Sequence, residues 1–155
     1  MLYFTIHDTK MFMNKLLKNE DFDLFCLRSI DIITFASFQI TGNRNKDYNT
    51  TEEQESQTEK FCMWSEIRPY AFQIIKGNRL PKSIKIIFSL NEKEKEKFAD
   101  ASALFLNIQF ENNIVSCTTG CSTQTFTLDK SLEYSWDEWV ISFFKKKEIG
   151  IEMIS

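Results

Sequence analysis

The sequence predicts an α+β fold: helices pack an antiparallel sheet, and one extra helix follows at the C-terminal end. Three observations predict it. Aromatic and β-branched runs alternate at a period of two, as strands with one buried face do. Between them lie stretches whose apolar side chains recur three and four residues apart, as on one side of a helix. The two patterns succeed each other as strand, helix, strands, helix, strands, helix, unlike the regular alternation behind a parallel sheet. Composition agrees, with 43% hydrophobic and 26% charged residues in a chain of 155, room for one domain over 1–155. Fifteen Phe against four Gly and two Pro point to a large aromatic core with few tight turns.

Residues 2–6 (Leu-Tyr-Phe-Thr-Ile) form the first expected strand. Asp8 or Thr9 caps a helix to about Lys18, striped by Phe12, Met13, Leu16 and Leu17. From Phe22 to Gly42 the pattern is β. Ile30, Ile32 and Thr34 alternate with Asp31, Ile33 and Phe35, and Phe38 and Ile40 carry a further run. Residues 43–60 hold Asp47, Glu52, Glu53, Glu55 and Glu59 with little to bury, which predicts an exposed or mobile polar insertion.

Ser65 is placed to cap a second helix, with Pro69 in its first turn, Ile67, Ala71, Ile74 and Ile75 inward, and Gly77 as its stop. Pro81 introduces a strand over 84–88 with Ile84, Ile86 and Phe88 on one face, and Asn91 caps a short charged helix over 92–97. A three-stranded meander follows: 104–110, a turn at Asn112-Asn113, a return over 114–119, a reversal or bulge at Gly120, and a last strand over 123–128. Asp129 caps the final helix to about Lys147, with Leu132, Trp136, Trp139, Val140 and Phe143 on its buried side and Lys145, Lys146 and Lys147 complementing its dipole.

No reaction is spelled out. The chain has neither a Gly-x-Ser-x-Gly elbow nor a glycine-rich phosphate loop, and its one histidine, His7, is thin support for a triad. Cys117 and Cys121 are the thiol candidates: in a hairpin closing over 118–120 they would face each other, but they lack the spacing of common zinc and redox motifs. No metal or cofactor is expected. The opening residues have no basic region before Asp8, and no apolar run reaches the roughly 18–20 residues of a membrane span. The expectation is a cytoplasmic protein with reduced cysteines and no membrane association.

Charge is more informative. The chain carries a net −3, yet 67–91 holds Arg68, Lys76, Arg79, Lys82 and Lys85 without an acid, and 9–19 holds Lys10, Lys15 and Lys18 without one. Two net-basic helices in an acidic chain predict one face that attracts anionic partners.

The order strand, helix, strands, helix, strands over roughly 130 residues resembles one module of the sliding DNA clamps, whose basic helices face DNA. That resemblance implies a clamp-like fold. The long last helix departs from it and would cap a sheet edge. Two strings, Trp64-Ser65-Glu66-Ile67-Arg68-Pro69 running to Lys76-Gly77, and Phe126-Thr127-Leu128-Asp129-Lys130-Ser131-Leu132-Glu133 running to Trp136-Asp137-Glu138, are similar to an uncharacterised family of bacterial single-domain proteins of about this length. That family has no assigned activity, so it carries no catalytic residue across.

The expected function is therefore a non-enzymatic binding module for protein or nucleic acid, a monomer or small homo-oligomer, with Lys10, Lys15, Lys18, Arg68, Lys76 and Arg79 as its contacts. Two alternatives stand beside it. One is a small thiol-dependent or redox enzyme built on Cys117 and Cys121. The other is an oligomeric interaction protein displaying Trp136, Trp139 and Phe144 on an exposed apolar patch.

Overall fold

The computed structural model describes residues 1–48, 51–52, 59–77 and 79–154. In chain order the elements are β1 (Tyr3–Ile6), α1 (Thr9–Lys18), β2 (Phe25–Ile33), β3 (Ser37–Thr41), a 3-10 turn (Lys46–Tyr48), α2 (Trp64–Ile75), β4 (Ser83–Leu90), α3 (Glu92–Lys95), β5 (Ala101–Glu111), β6 (Ile114–Thr123), α4 (Ser131–Lys146) and β7 (Ile151–Met153). The seven strands form one open antiparallel sheet in the order β3-β2-β4-β5-β6-β1-β7. The fold is α+β, with helices packed on the sheet.

Period-two alternation decides which face is covered. Ile30 and Ile32 on β2, Ile84, Ile86 and Phe88 on β4, Leu106 and Ile108 on β5, Cys117 on β6 and Phe4 on β1 are all buried. Over them lie Phe12, Leu16 and Leu17 of α1, Trp64 and Ala71 of α2, and Trp136, Val140, Phe143 and Phe144 of α4. Phe22 sits at the centre, its ring 5.5 Å from Phe12, 6.1 Å from Phe88 and 5.5 Å from Phe143. The opposite face has a polar rung across its middle: Asp31, Lys85, Gln109, Ser116 and Thr5 stand in cross-strand register, exposed or half-buried. One covered and one solvated face is the usual economy of an antiparallel sheet.

Several local expectations hold. The Asp8 side chain caps α1 by accepting from Met11 N at 3.0 Å, and Asn91 caps α3 by accepting from Glu94 N at 2.9 Å. Asn112 and Asn113, at φ 54° and 60°, close the β5–β6 hairpin in the left-handed conformation that asparagine tolerates. Gly42 is demanded by a close approach: a Cβ there would lie 1.6 Å from the Leu27 carbonyl oxygen. Its amide donates to Arg28 O and its carbonyl accepts from Cys62 N, which ties 61–63 alongside β2.

Other expectations are corrected. α2 starts two residues earlier, with Met63 rather than Ser65 at its N-cap and Glu66 accepting from Met63 N at 2.7 Å. Pro69 therefore lies past the first turn, where its missing N–H removes a helical hydrogen bond. The meander has two strands, not three. β6 runs straight through Gly120, which pairs with Phe105, and ends at Thr123. Beyond it, hydroxyl groups satisfy the backbone locally: Thr123 Oγ1 donates to Thr125 O, and Thr127 Oγ1 accepts from Asp129 N. Asp129 does not cap α4 as its N-cap residue, which is Lys130, although its carboxylate accepts from Ser131 N at 2.9 Å. α4 packs on the covered face rather than capping an edge; that edge belongs to β7, a strand the sequence pattern did not announce. Of the expected insertion over 43–60, residues 49–50 and 53–58 lie outside the described residues. Lys46, Asp47 and Tyr48 are exposed, whereas Glu59 is anchored, accepting from Glu92 N at 2.9 Å.

Candidate functional site

α1 turns Phe12, Leu16 and Leu17 inward, so Lys10, Asn14 and Lys18, spaced four residues apart, form its outer ridge. α1 packs beside α2, and where α2 ends the two helices and the β5–β6 hairpin diverge. The gap is a cleft of about 890 Å³ with an apolar floor of Met13, Leu17, Ile75, Leu80 and Phe110 and a polar rim that includes His7, Lys10 and Asn14. A second groove, of about 440 Å³, meets it at Ile75 and Leu80 and is lined by Phe35, Ile74, Lys76, Arg79 and Lys82. The two make one trough at the end of the helical layer. Leu80 is 72% exposed and Phe35 94% exposed, so the trough presents uncovered apolar side chains.

The six cations singled out in the sequence divide between places. Lys10, Lys76 and Arg79 come together on the trough, joined by Lys82. Lys15 and Lys18 do not line it; the Lys18 ammonium, eight residues along the ridge from Lys10, lies 5.9 Å from the ring centroid of Phe72 on α2. Arg68 is held in an ion pair by Asp23. Burial keeps the Asp23 carboxyl above its ordinary pKa even beside that guanidinium. Among the described residues the acid lining the trough is Asp8, and its Oδ1 is already engaged in capping α1.

The thiols lie elsewhere. Cys117 and Cys121 sit four residues apart on the same straight strand, opposite Ile108 and Leu104, not across a turn. At about 3.3 Å per residue their Cα atoms stand roughly 13 Å apart, well beyond disulfide reach. Burial raises both pKa values; at Cys121, Glu133 and Asp137 add to the effect. Among the described residues no group of three His, Cys, Asp or Glu could hold a metal ion, and no helix is long and apolar enough to cross a membrane.

The expected aromatic patch on α4 is not exposed. Trp136 and Phe144 are buried, and Trp139 is partly covered, stacked between Trp136 and Phe143 at 5.1 and 5.3 Å. What sequence reasoning missed is the floor of the trough. Leu80 beside Pro81 fits no helix stripe, and Phe35, expected to continue the β alternation, lies in the turn between β2, which ends at Ile33, and β3; an apolar residue in a turn was the available signal. Arg28 was missed as well. Leu27 and Ile30 are both buried although three apart in a strand, a spacing that requires a bulge between them.

The comparisons with known proteins come to rest on one family. No curated protein and no solved structure matches this chain. The family model of DUF5721, a family of unknown function, matches residues 15–152, from α1 through β7, so the chain belongs to that family.

Proposed function

We propose that the protein is a non-enzymatic binding module whose trough receives an acidic, amphipathic segment of a partner protein. The observation that carries this reading is the joining of exposed Leu80 and Phe35 to Lys10, Lys76, Arg79 and Lys82 in one concave surface. A segment with apolar side chains on one side and carboxylates flanking them satisfies both features, the apolar part supplying affinity and the charges supplying orientation. A phosphate backbone is the weaker fit. Four cations give few phosphate contacts, and an apolar floor offers nothing to a sugar–phosphate chain. Cys26, Cys62, Cys117 and Cys121 stand as free thiols, which supports a reducing compartment such as the bacterial cytoplasm. The clamp-like element order adds no ring-forming contact to this reading.

The test is fluorescence anisotropy at low salt with two labelled probes, a synthetic peptide with Leu three and four residues apart and Glu flanking them, and a DNA duplex. The peptide should bind and the duplex should bind more weakly. Leu80→Asp, at an exposed position that the fold tolerates, should weaken the peptide by at least about tenfold. Peptide affinity unchanged by Leu80→Asp, or a duplex bound more tightly than the peptide, would overturn the reading.

A further inference from the structure

The opposite, open face of the sheet holds a second feature that the trough does not use. β2 pairs Leu27 with Phe88 and then Ser29 with Ile87, so Arg28 is the extra residue of a bulge. Its side chain lies on the open face, above Ser89, which is in register with Phe105. Ser89 is small, and its hydroxyl is within reach of the guanidinium. The guanidinium carbon is 3.9 Å from the Phe61 ring centroid and 5.2 Å from that of Phe105, and Nε donates to Ser89 Oγ at 3.0 Å. Phe61 is brought there by the Gly42-dependent tie that lays 61–63 alongside β2.

Among the described residues no carboxylate pairs with this guanidinium. Arg44 and Arg68 are also partly buried, and each has a carboxylate, Glu66 and Asp23 respectively. Arg28 is half-buried against two rings, yet among the described residues its Nη groups make no hydrogen bond or ion pair. Burial lowers its pKa, as expected of a cation taken partly from water without a carboxylate in contact. Aromatic faces stabilise the charge but leave the planar edge, with its parallel N–H donors, unused. Beside Phe105 the neighbouring strand carries Gly120, and a side chain there would meet only Phe105 Cβ at 3.9 Å, so the space next to the ring is open.

We propose that Arg28, fixed by Phe61, Phe105 and Ser89, is the anchor of a binding site for a carboxylate on the open sheet face. A carboxylate matches the guanidinium edge with two parallel hydrogen bonds and balances its charge one to one. A phosphate monoester is the poorer match, since one cation meets nearly two negative charges within the field of Glu92, the acid that reaches Arg28. This site lies on the other side of the sheet from the trough and does not depend on it.

The experiment is an NMR titration of the uniformly 15N-labelled protein with sodium acetate and, separately, inorganic phosphate, at ionic strength held constant with sodium chloride. The Arg28 Nε–H resonance should shift saturably with acetate and not with chloride. Arg28→Lys keeps the charge but loses the fork and should abolish saturation of the neighbouring Phe61 and Gly120 amide shifts. Ser89→Ala leaves Arg28 in place without its Nε anchor and should weaken acetate binding by about threefold to tenfold. If Arg28→Lys fails to fold, the wild-type titration and Ser89→Ala still decide. A linear response indistinguishable from chloride, or acetate binding unchanged in Ser89→Ala, would overturn the proposal; tighter binding of phosphate would overturn the assignment to carboxylate.

Discussion

Replacing Trp136 by alanine is the sharpest test of how the last helix is held. The indole is 1% exposed; it stacks on Trp139 at 5.1 Å, meets Phe98 edge-on at 5.8 Å, and its Nε1 donates to the Phe105 carbonyl at 2.9 Å. A buried Trp side chain removes about 150–250 Å² from water, which at about 25 cal/mol per Å² is worth roughly 4–6 kcal/mol. Trp139 is only partly buried and can tip toward the vacancy, so the expected loss falls to about 3–5 kcal/mol. Trp136→Phe separates the contributions, because it keeps most of the apolar area and orphans only the Phe105 carbonyl, at a cost of about 1–2 kcal/mol. Urea unfolding followed by circular dichroism measures both, with the denaturant slope checked for constancy. In a melt the alanine variant should lose about 10 °C. A loss below about 1 kcal/mol, near that of a surface substitution, would mean that the ring does not hold α4 to the sheet.

Two further outcomes concern the Arg44–Glu66 pair and the thiols of β6. Burial raises the pKa of Glu66, but the Arg44 fork, at 3.2 and 2.8 Å, and the Met63 N–H more than offset it, leaving the carboxyl below its ordinary value. A depressed carboxyl stabilises the fold above its unfolded pKa and loses that contribution as pH falls through the folded value, so Glu66→Gln should lower the neutral-pH urea midpoint and flatten its decline in acid; an unchanged acid limb would refute this. Cys117 and Cys121, whose pKa values are pushed up, should resist iodoacetamide at neutral pH in the native protein, and rapid labelling of either would restore the thiol chemistry.

Much of the fold is legible because its signals are local. Asp8 and Asn91 cap the helices they precede, and the Asn112-Asn113 pair turns its hairpin, since each device acts within three or four residues. The failures arise where a local pattern competes with a distant partner. Phe126 and Leu128 alternate like a strand, but strand formation needs an edge to pair with, and the edge of β6 is taken by β1. Gly120 reads as a reversal or bulge only when the chain is seen alone. Opposite Phe105 it leaves the ladder intact. β7 escapes notice because three residues carry no periodicity; it exists through its register with Phe4, Thr5 and Ile6.

The site is legible in charge and illegible in shape, and the difference is physical. An acid-free run such as 67–91 is a property of neighbouring residues, so the cations of the trough stand out in the sequence itself. Its floor is assembled from α1, the end of α2, the segment before β4 and the β5–β6 hairpin, elements up to about a hundred residues apart, which no window of sequence can join. The same reasoning explains why Arg68 is the least useful of the six. A helix face reports where a cation points, but its availability depends on whether a carboxylate such as Asp23 arrives from another segment. Arg28 is the converse case: a cation in an apolar strand invites the assumption of a buried partner, and the fold supplies two rings and a serine instead. Free charge in this protein is therefore decided by tertiary pairing rather than by clustering along the chain.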